Sequence, residues 1–448
     1  MNRRKFLHVG AAVALGALWC PQASAQPART PNVIVIFCDD LGYGDTGAYG
    51  GKLIDTPNID RLAREGVRLT NYYSSANVCT PSRASLLTGR YSMRMGLAHE
   101  VIFPKDTNGL PLEEVTIGEA LKPTYTTALI GKWHLGHVAP YWPPTVHGFD
   151  LFFGLPYSHD MEPLALYESS GNKLIEEPVA FPQGYAQLQQ RFWRRASQFI
   201  ADNHDKPFFL ELALSAPHLS YFPLAPFEGR SKAGPYGDVV AEIDDIVGQL
   251  MAQLKKLNID DNTIVIFTSD NGPWYDGSSG GLRDRKGNAS WDGAYKVPFI
   301  ARGPGLPRGQ VRDSIAMSID LFPTLTRLTG RPLPAGAALD GRDISAVLRD
   351  GAPSPHDQLI IFNNEEVVAI RTQRWKFVAT THYRDRVVHL DTTEYKAGLY
   401  DLEADPAESY NVAVRHPDVV ADMQRRLDAA RAEFEPLRTQ PISEPIKK

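Results

Sequence analysis

Cysteine is scarce in this sequence, with three in 448 residues, and one of them, Cys20, falls in an N-terminal leader pattern. The other two, Cys38 and Cys79, could form one bridge at most. The readings below place Cys38 in a strand and use Cys79 for chemistry, so no disulfide framework is needed. An excess of either charge is also lacking. With 47 Lys+Arg against 52 Asp+Glu the formal net charge is −5, which argues against a nucleic-acid binder but allows a local basic pocket. Internal repeats are absent. The one apolar leader run, Val9 to Trp19, is too short for a membrane anchor, which needs about 20 residues.

What is present is the composition of a soluble globular protein, 43% hydrophobic and 22% charged. The length is long for one compact core, so two domains or one large α/β domain with an appendage is expected. Residues 1–25 read as a signal peptide. Arg3-Arg4-Lys5-Phe6-Leu7 is a twin-arginine pattern, and Ala23-Ser24-Ala25 is a small-residue cleavage site. Trp19 disfavours lipid attachment at Cys20. This leader implies passage of a folded protein through the bacterial twin-arginine export machinery, hence a periplasmic or secreted protein with no stable membrane anchor.

Pro31 to Cys38 is a continuous β-branched run of the kind buried on both faces of a parallel sheet, and it ends in Asp39-Asp40. Thr263 to Ser269 repeats the pattern and ends in Asp270-Asn271; Pro207 to Leu214 repeats it again and leads to His218. Thr56 to Gly66 reads as a capped helix, Val67 to Tyr73 as a strand, and Thr126 to Ile130 as a strand delivering Lys132 and His134. In an extended segment those two side chains share a face. Gly109 to Leu121 supplies a helix after a loop, and Val239 to Leu257 is a long amphipathic helix.

The stretch from Asn77 to Arg90 starts as a loop and becomes a helix, with Pro81 in the first turn, Ser82 and Ser85 on the polar side, Leu86 and Leu87 inward and Gly89 as the stop. Cys79 then lies just ahead of a helix N-terminus, with Arg83 one turn on. Strand–helix alternation predicts an α/β fold with a large, mainly parallel mixed sheet flanked by helices on both faces. Pro/Ala/Gly-rich stretches at Arg331 to Leu339 and Asp350 to His356 divide a catalytic domain, residues 26–350, from residues 351–448. The latter read as an antiparallel sheet (Glu366 to Arg371, Trp375 to Thr380, Val387 to Leu390, Gly398 to Asp401) with a closing helix, Val419 to Phe434, and a disordered polar tail.

Each chemical feature has an ordinary counterpart: turn aspartates, surface Lys and His, a buried cysteine opening a helix. Their convergence is what distinguishes them. Asp39, Asp40, Asp270 and Asn271 offer hard oxygens suited to Ca2+ or Mg2+, with Arg83, Lys132, His134, His218 and Lys286 on the same sheet edge. A metal with Lys and Arg around an anion suits phosphoryl or sulfuryl transfer, and these residues alone do not choose between phosphorus and sulfur.

Cys79-Thr80-Pro81-Ser82-Arg83 with Leu87-Thr88-Gly89-Arg90 resembles the signature of the formylglycine-dependent sulfatases. Cys38 to Asp45, Gly131 to Gly136, Ser269 to Gly272 and Leu399-Tyr400-Asp401-Leu402 follow in the same order as in that family. Gly109 to Leu121 and Gly154 to Asp160 are similar to its arylsulfatase A-like branch. The resemblance implies an alkaline-phosphatase-like fold and conversion of Cys79 by a formylglycine-generating maturation enzyme. It further implies one Ca2+ held by Asp39, Asp40, Asp270, Asn271 and residue 79, and hydrolysis of a small-molecule or glycan sulfate ester. One oxygen of the hydrated formylglycine would attack sulfur, with His218 or Lys286 protonating the leaving oxygen. His134 would take the second hydroxyl's proton to release sulfate, Arg83 and Lys132 would neutralise charge, and Ser158 would touch substrate together with Lys132, His218 and Lys286. The alternative is a phosphate or phosphonate monoester hydrolase on the same scaffold. One departure concerns Lys286: the segment up to Trp291-Asp292-Gly293 is one residue longer than the family pattern and has Asp for Glu. The loops around Tyr157 to Tyr185 and Trp274 to Arg285, which would decide the substrate, carry no readable motif.

Overall fold

The computed structural model describes residues 29–287, 289–380 and 397–440. The leader, the strand expected at Val387 to Leu390 and the last residues of the tail lie outside them. The run from Asn32 forms the central strand Asn32–Cys38, and its alternation serves two cores at once. Ile34, Ile36 and Cys38 pack on one face of the sheet; Val33, Val35 and Phe37 pack on the other. Such a strand has no side for water, which is why its sequence is apolar throughout.

Ten strands make the main sheet. Asn32–Cys38 lies between Thr263–Ser269 and Phe208–Ala213, both parallel to it. Beyond Phe208–Ala213 come Thr126–Lys132 and Leu151–Leu155, also parallel. Beyond Thr263–Ser269 come Phe299–Arg302 and Val67–Leu69, paired antiparallel, and then Gln310–Arg312 at the edge. Helices Leu188–Asn203 and Gly234–Lys256 pack on one face, and Cys79–Thr88 and Leu321–Thr329 on the other. The sheet is thus mixed and mainly parallel at its centre, as the strand–helix alternation predicts.

Three expectations change. Val67 to Tyr73 is not one strand: Val67–Leu69 belongs to the main sheet, while Tyr72–Tyr73 pairs with Ala316–Met317 in a separate two-stranded sheet. The helix after Gly109 is confined to Ile117–Leu121, opened by a capping box between Thr116 and Glu119. The stretch from Tyr157 to Tyr185 is not only loop. Ala165–Ser170 and Lys173–Pro178 form a hairpin that extends the sheet, turning at Gly171-Asn172, with Gly171 at a φ of 58°.

The C-terminal sheet is antiparallel, ordered Leu359–Asn363, Glu366–Arg371, Trp375–Val378, Gly398–Asp401, with helix Pro417–Phe434 against it. Its first strand was not anticipated. Its core is shared with the rest of the molecule, since Tyr73, Tyr91, Trp291 and Tyr295 pack among Ile361, Val368, Phe377 and Leu399. Ile36 is fully buried between the two parallel neighbours. Ile36→Ala is expected to lower the unfolding free energy by about 2–5 kcal/mol, read from urea denaturation monitored by circular dichroism.

Candidate active site

The five adjacent parallel strands end at one edge of the sheet, and each delivers side chains to the same place. Cys38 and Ser269 are in register, so Asp39-Asp40 and Asp270-Asn271 leave the sheet side by side. Phe208–Ala213 leads to His218, Thr126–Lys132 ends in Lys132, and Leu151–Leu155 leads to Ser158. Carboxyl ends of parallel strands are where open α/β sheets place their ligands. Two glycines make the crossing at Lys132 possible. Gly131 has a φ of 123°, and a Cβ there would lie 1.7 Å from the Ala213 carbonyl oxygen; one at Gly154 would lie 1.7 Å from the Gly131 oxygen.

Helix Cys79–Thr88 stands over this edge, ended by Gly89 with a φ of 68°. It has no polar side. All ten residues are buried, and Ser82, expected on the polar side of the helix, donates to the Asp270 carbonyl. Cys79 is 1% exposed and its Sγ lies 3.3 Å from Asp39 Oδ1 and 3.5 Å from Lys286 Nζ. Burial, and then the charge of Asp39, push its thiol well above the ordinary range against the pull of Lys132 and Lys286. As encoded, Cys79 is therefore a neutral thiol at neutral pH and a poor nucleophile.

Around it, three carboxylates and three cations interlock. Arg83 donates through Nε (3.0 Å) and Nη2 (2.8 Å) to Asp270 Oδ2, and its Nη2 lies 3.3 Å from Asp39 Oδ1. Lys132 Nζ donates to Asp39 Oδ2 at 2.7 Å and to Ser158 Oγ at 3.3 Å. Lys286 Nζ donates to Asp40 Oδ2 at 2.7 Å, so the longer segment after it does not keep it from the cluster. Burial alone would raise Asp39, but Lys132 and Arg83 outweigh it and hold the carboxyl well below the usual range. Asp270 moves the other way, up to about 7, because burial and then the charge of Asp39 oppose its ionisation. Neighbouring carboxylates that resist being charged together are relieved by a cation placed among them.

Asp39, Asp40, Cys79 and Asp270 each offer a ligand atom within 4.8 Å of the others. Asn271 Nδ2 donates to Asp40 Oδ1 at 2.8 Å, while its Oδ1 is buried without a hydrogen-bond partner among the described residues. An orphaned amide oxygen beside three carboxylates is a donor set for a hard divalent ion.

The two histidines differ from the sequence picture. His134 is not in an extended segment. Its φ is 59°, and its Nε2 lies 3.0 Å from the Ile102 carbonyl while Nδ1 has no partner among the described residues. Burial, followed by Lys132 and Arg83, drives its pKa well below 6.5, so it is neutral, protonated at Nε2 and bare at Nδ1. His218 is lowered to about 4, by burial and then Lys286. Its Nδ1 meets the Leu219 carbonyl at 2.5 Å and its Nε2 lies 3.7 Å from Asp40 Oδ2. Of the two proton donors anticipated, Lys286 is charged, since Asp40 holds its proton against the pull of burial, while His218 is neutral with its one proton at Nδ1.

Matches to known families follow this geometry. Residues 31–331 match the sulfatase family model, and residues 354–444 match the C-terminal region of aryl-sulfatase. The chain belongs to the sulfatase family. It is thus a sulfuric ester hydrolase. Human arylsulfatase A is 38% identical, over 91% of this chain and 90% of the human protein; human steryl-sulfatase is 33% identical, over 80% and 77%. The crystal structure of PsFucS1 sulfatase from Pseudoalteromonas sp. superposes with a TM-score of 0.83 at 30% identity, covering 92% of each chain.

Several residues of this sulfatase's site were not anticipated. Glu211 interrupts an apolar strand, buried near Arg83 and raised by burial to about 7; a lone acid inside that run was its signal. Asp45 accepts from Gly42 N, Ser278 N and the Tyr236 hydroxyl, tying the turn after Asp40 to the loop beyond Asn271. Arg283 and Arg285, neighbours of Lys286, do not join the cluster: Arg283 lies over Trp291 and donates to the Glu408 carbonyl, and Arg285 donates to the Trp274 and Tyr275 carbonyls. Unconverted Cys79 and strand residue Cys38 are both free and buried. Both are expected to resist a thiol reagent at pH 8 and to be labelled only in urea, as read by peptide mass mapping; rapid labelling of native Cys79 would contradict the burial.

Proposed function

We propose that the chain hydrolyses a sulfate monoester, aryl or carbohydrate, at residue 79, with Cys79 converted to formylglycine and one Ca2+ beside it. The observation that carries this reading is the closed cluster of Asp39, Asp40, Asp270, Arg83, Lys132 and Lys286 around a side chain too protonated to act as a thiolate. Asp39, Asp40, Asp270, Asn271 and residue 79 would hold the ion; when bound, ion and formylglycine together supply an activated hydroxyl nucleophile. The relatives named above act on sulfate esters, which favours sulfur over phosphorus.

The chain's own residues then have separable tasks. Arg83, spanning Asp39 and Asp270, and Lys132 orient residue 79 and neutralise the sulfate as charge moves onto its oxygens. Lys286, charged and 3.5 Å from Sγ, is placed to give a proton to the leaving oxygen, with His218 open at Nε2 beside it. His134 is the base for release because its Nδ1 is bare while Nε2 is engaged. Ser158, joined to Lys132, adds a substrate contact. In charge terms the three carboxylates already balance the three cations. A divalent ion would leave a surplus of two positive charges, of which a bound sulfate monoester removes one.

We further read residues 26–350 as the catalytic domain and residues 351–448 as a C-terminal subdomain. Residues 1–25 we read as a signal for twin-arginine export to the periplasm or beyond, with a formylglycine-generating enzyme as maturation partner. No described helix is long and apolar enough to cross a membrane.

Turnover of a nitrophenyl sulfate is expected to exceed that of the matching phosphate by a wide margin; a large preference for phosphate would establish the phosphatase alternative. The peptide containing residue 79 should carry an aldehyde rather than a thiol in mass spectrometry. Cys79→Ala should abolish sulfate release while leaving the circular dichroism spectrum unchanged, and near-wild-type activity in that variant would refute the nucleophile assignment.

A further inference from the structure

The loop that carries Lys286 and the segment that enters the Cys79 helix are joined to each other, and both are joined to the C-terminal sheet. Gly287 N donates to the Asn77 carbonyl at 3.0 Å, and Asn77 Nδ2 donates back to the Gly287 carbonyl at 2.6 Å. These bonds lie two residues before Cys79 and one after Lys286. A single atom of the C-terminal sheet closes the arrangement. Asn363 Oδ1, at the end of strand Leu359–Asn363, accepts from Asn77 Nδ2 at 2.8 Å and from Ala289 N at 3.2 Å. Asn77 and Asn363 are 1% and 4% exposed, so water does not compete for these bonds.

The far end of the same loop is held by a second contact from the C-terminal part. Lys376 Nζ donates to Asp292 Oδ1 at 2.7 Å and lies 2.7 Å from Glu408 Oε1, while Asp292 N donates to Glu408 Oε2 at 2.7 Å. The Tyr73 hydroxyl donates to Asp292 Oδ2 at 2.7 Å. The Tyr295 hydroxyl donates to the Phe362 carbonyl at 2.8 Å. The loop following Lys286 is therefore fastened to the C-terminal sheet at both ends, with Asn363 at the end nearest the reacting groups.

We propose that Asn363 is a positioning residue of the active site, holding the Lys286 loop and the Cys79 entry segment in register across the boundary between the catalytic part and the C-terminal sheet. Its oxygen is the shared acceptor for both segments, so losing it leaves the Asn77–Gly287 pair without its anchor to the C-terminal sheet, frees the Ala289 amide, and lets the loop shift around residue 79. Lys286 then leaves its place between Asp40 and residue 79, and the C-terminal sheet is part of the catalytic framework rather than an appendage. The proposal rests on the role of Lys286 given above.

The test is Asn363→Leu, which keeps the branched shape, adds some bulk and removes the acceptor. With a nitrophenyl sulfate, kcat is expected to fall about 10- to 100-fold, as displacement of a reacting group by about 1 Å produces, while KM changes little. Hydrogen exchange should accelerate at the Gly287 and Ala289 amides and stay unchanged in strand Asn32–Cys38. Wild-type kcat, or exchange that accelerates equally in the central strand, overturns the proposal. If Asn363→Leu does not fold, Asn363→Ser, which shortens the reach but keeps a polar group, is read by the same two measurements. Lys286→Ala separates the two layers of argument. Full activity in that variant overturns the role of Lys286 and the proposal with it; loss of activity there with wild-type kcat in Asn363→Leu overturns the positioning role alone.

Discussion

Everything at the sheet edge depends on holding three aspartates side by side in a buried space. Asp39, Asp40 and Asp270 are each fully buried, and a buried carboxylate without a partner neutralises itself by taking a proton. Arg83 and Lys132 oppose this unevenly. Lys132 and Arg83 together secure Asp39, whereas Asp270 is left close to its titration point by the nearness of Asp39. The cluster is balanced in number but strained in arrangement. That strain is of the kind a divalent ion relieves, and the unpartnered Asn271 oxygen supplies a further neutral ligand at the same point.

The backbone carries a related strain. Asp40 and His134, both at the site, have φ values of 67° and 59°, a region that non-glycine residues occupy at a cost of about 1–3 kcal/mol each. Both are pinned from several sides: Asp40 by Asp270, Asn271 and Lys286, His134 by Thr80, Ile102 and the Pro156 carbonyl. The helix above contributes no solvent face, so the sheet, the helix and the two strand-end turns must assemble together for any one of these conformations to persist.

The sequence made the centre of this structure legible and its seams obscure. Asn32–Cys38 and Thr263–Ser269 stand out because a strand buried on both faces leaves no polar position, and the acids that follow mark the sheet's carboxyl edge. Helix Cys79–Thr88 was bounded by Gly89, but the burial of Ser82 was not, since its partner, the Asp270 carbonyl, is 188 residues away. Val67 to Tyr73 read as one strand because local pattern does not say when a chain passes from one sheet to another. Leu359–Asn363 is apolar enough to be a strand, yet it is short, follows closely on the Pro-rich boundary and was not singled out. Asn77 and Asn363 are separated by 286 residues and sit in no motif; a single amide gives no sign of where its oxygen will be needed.

The burial of the cation–carboxylate cluster also sets how the site answers to its surroundings. Exposed charges in physiological salt are screened beyond a Debye length of about 8 Å, and buried pairs far less. Arg83 and Lys132 are 2% and 1% exposed, and each is flanked by buried carboxylate oxygens. The potential that an anionic ester meets at this edge is therefore fixed by covalently held charges rather than by the ionic strength outside. That independence suits an enzyme whose substrate and product are themselves salts.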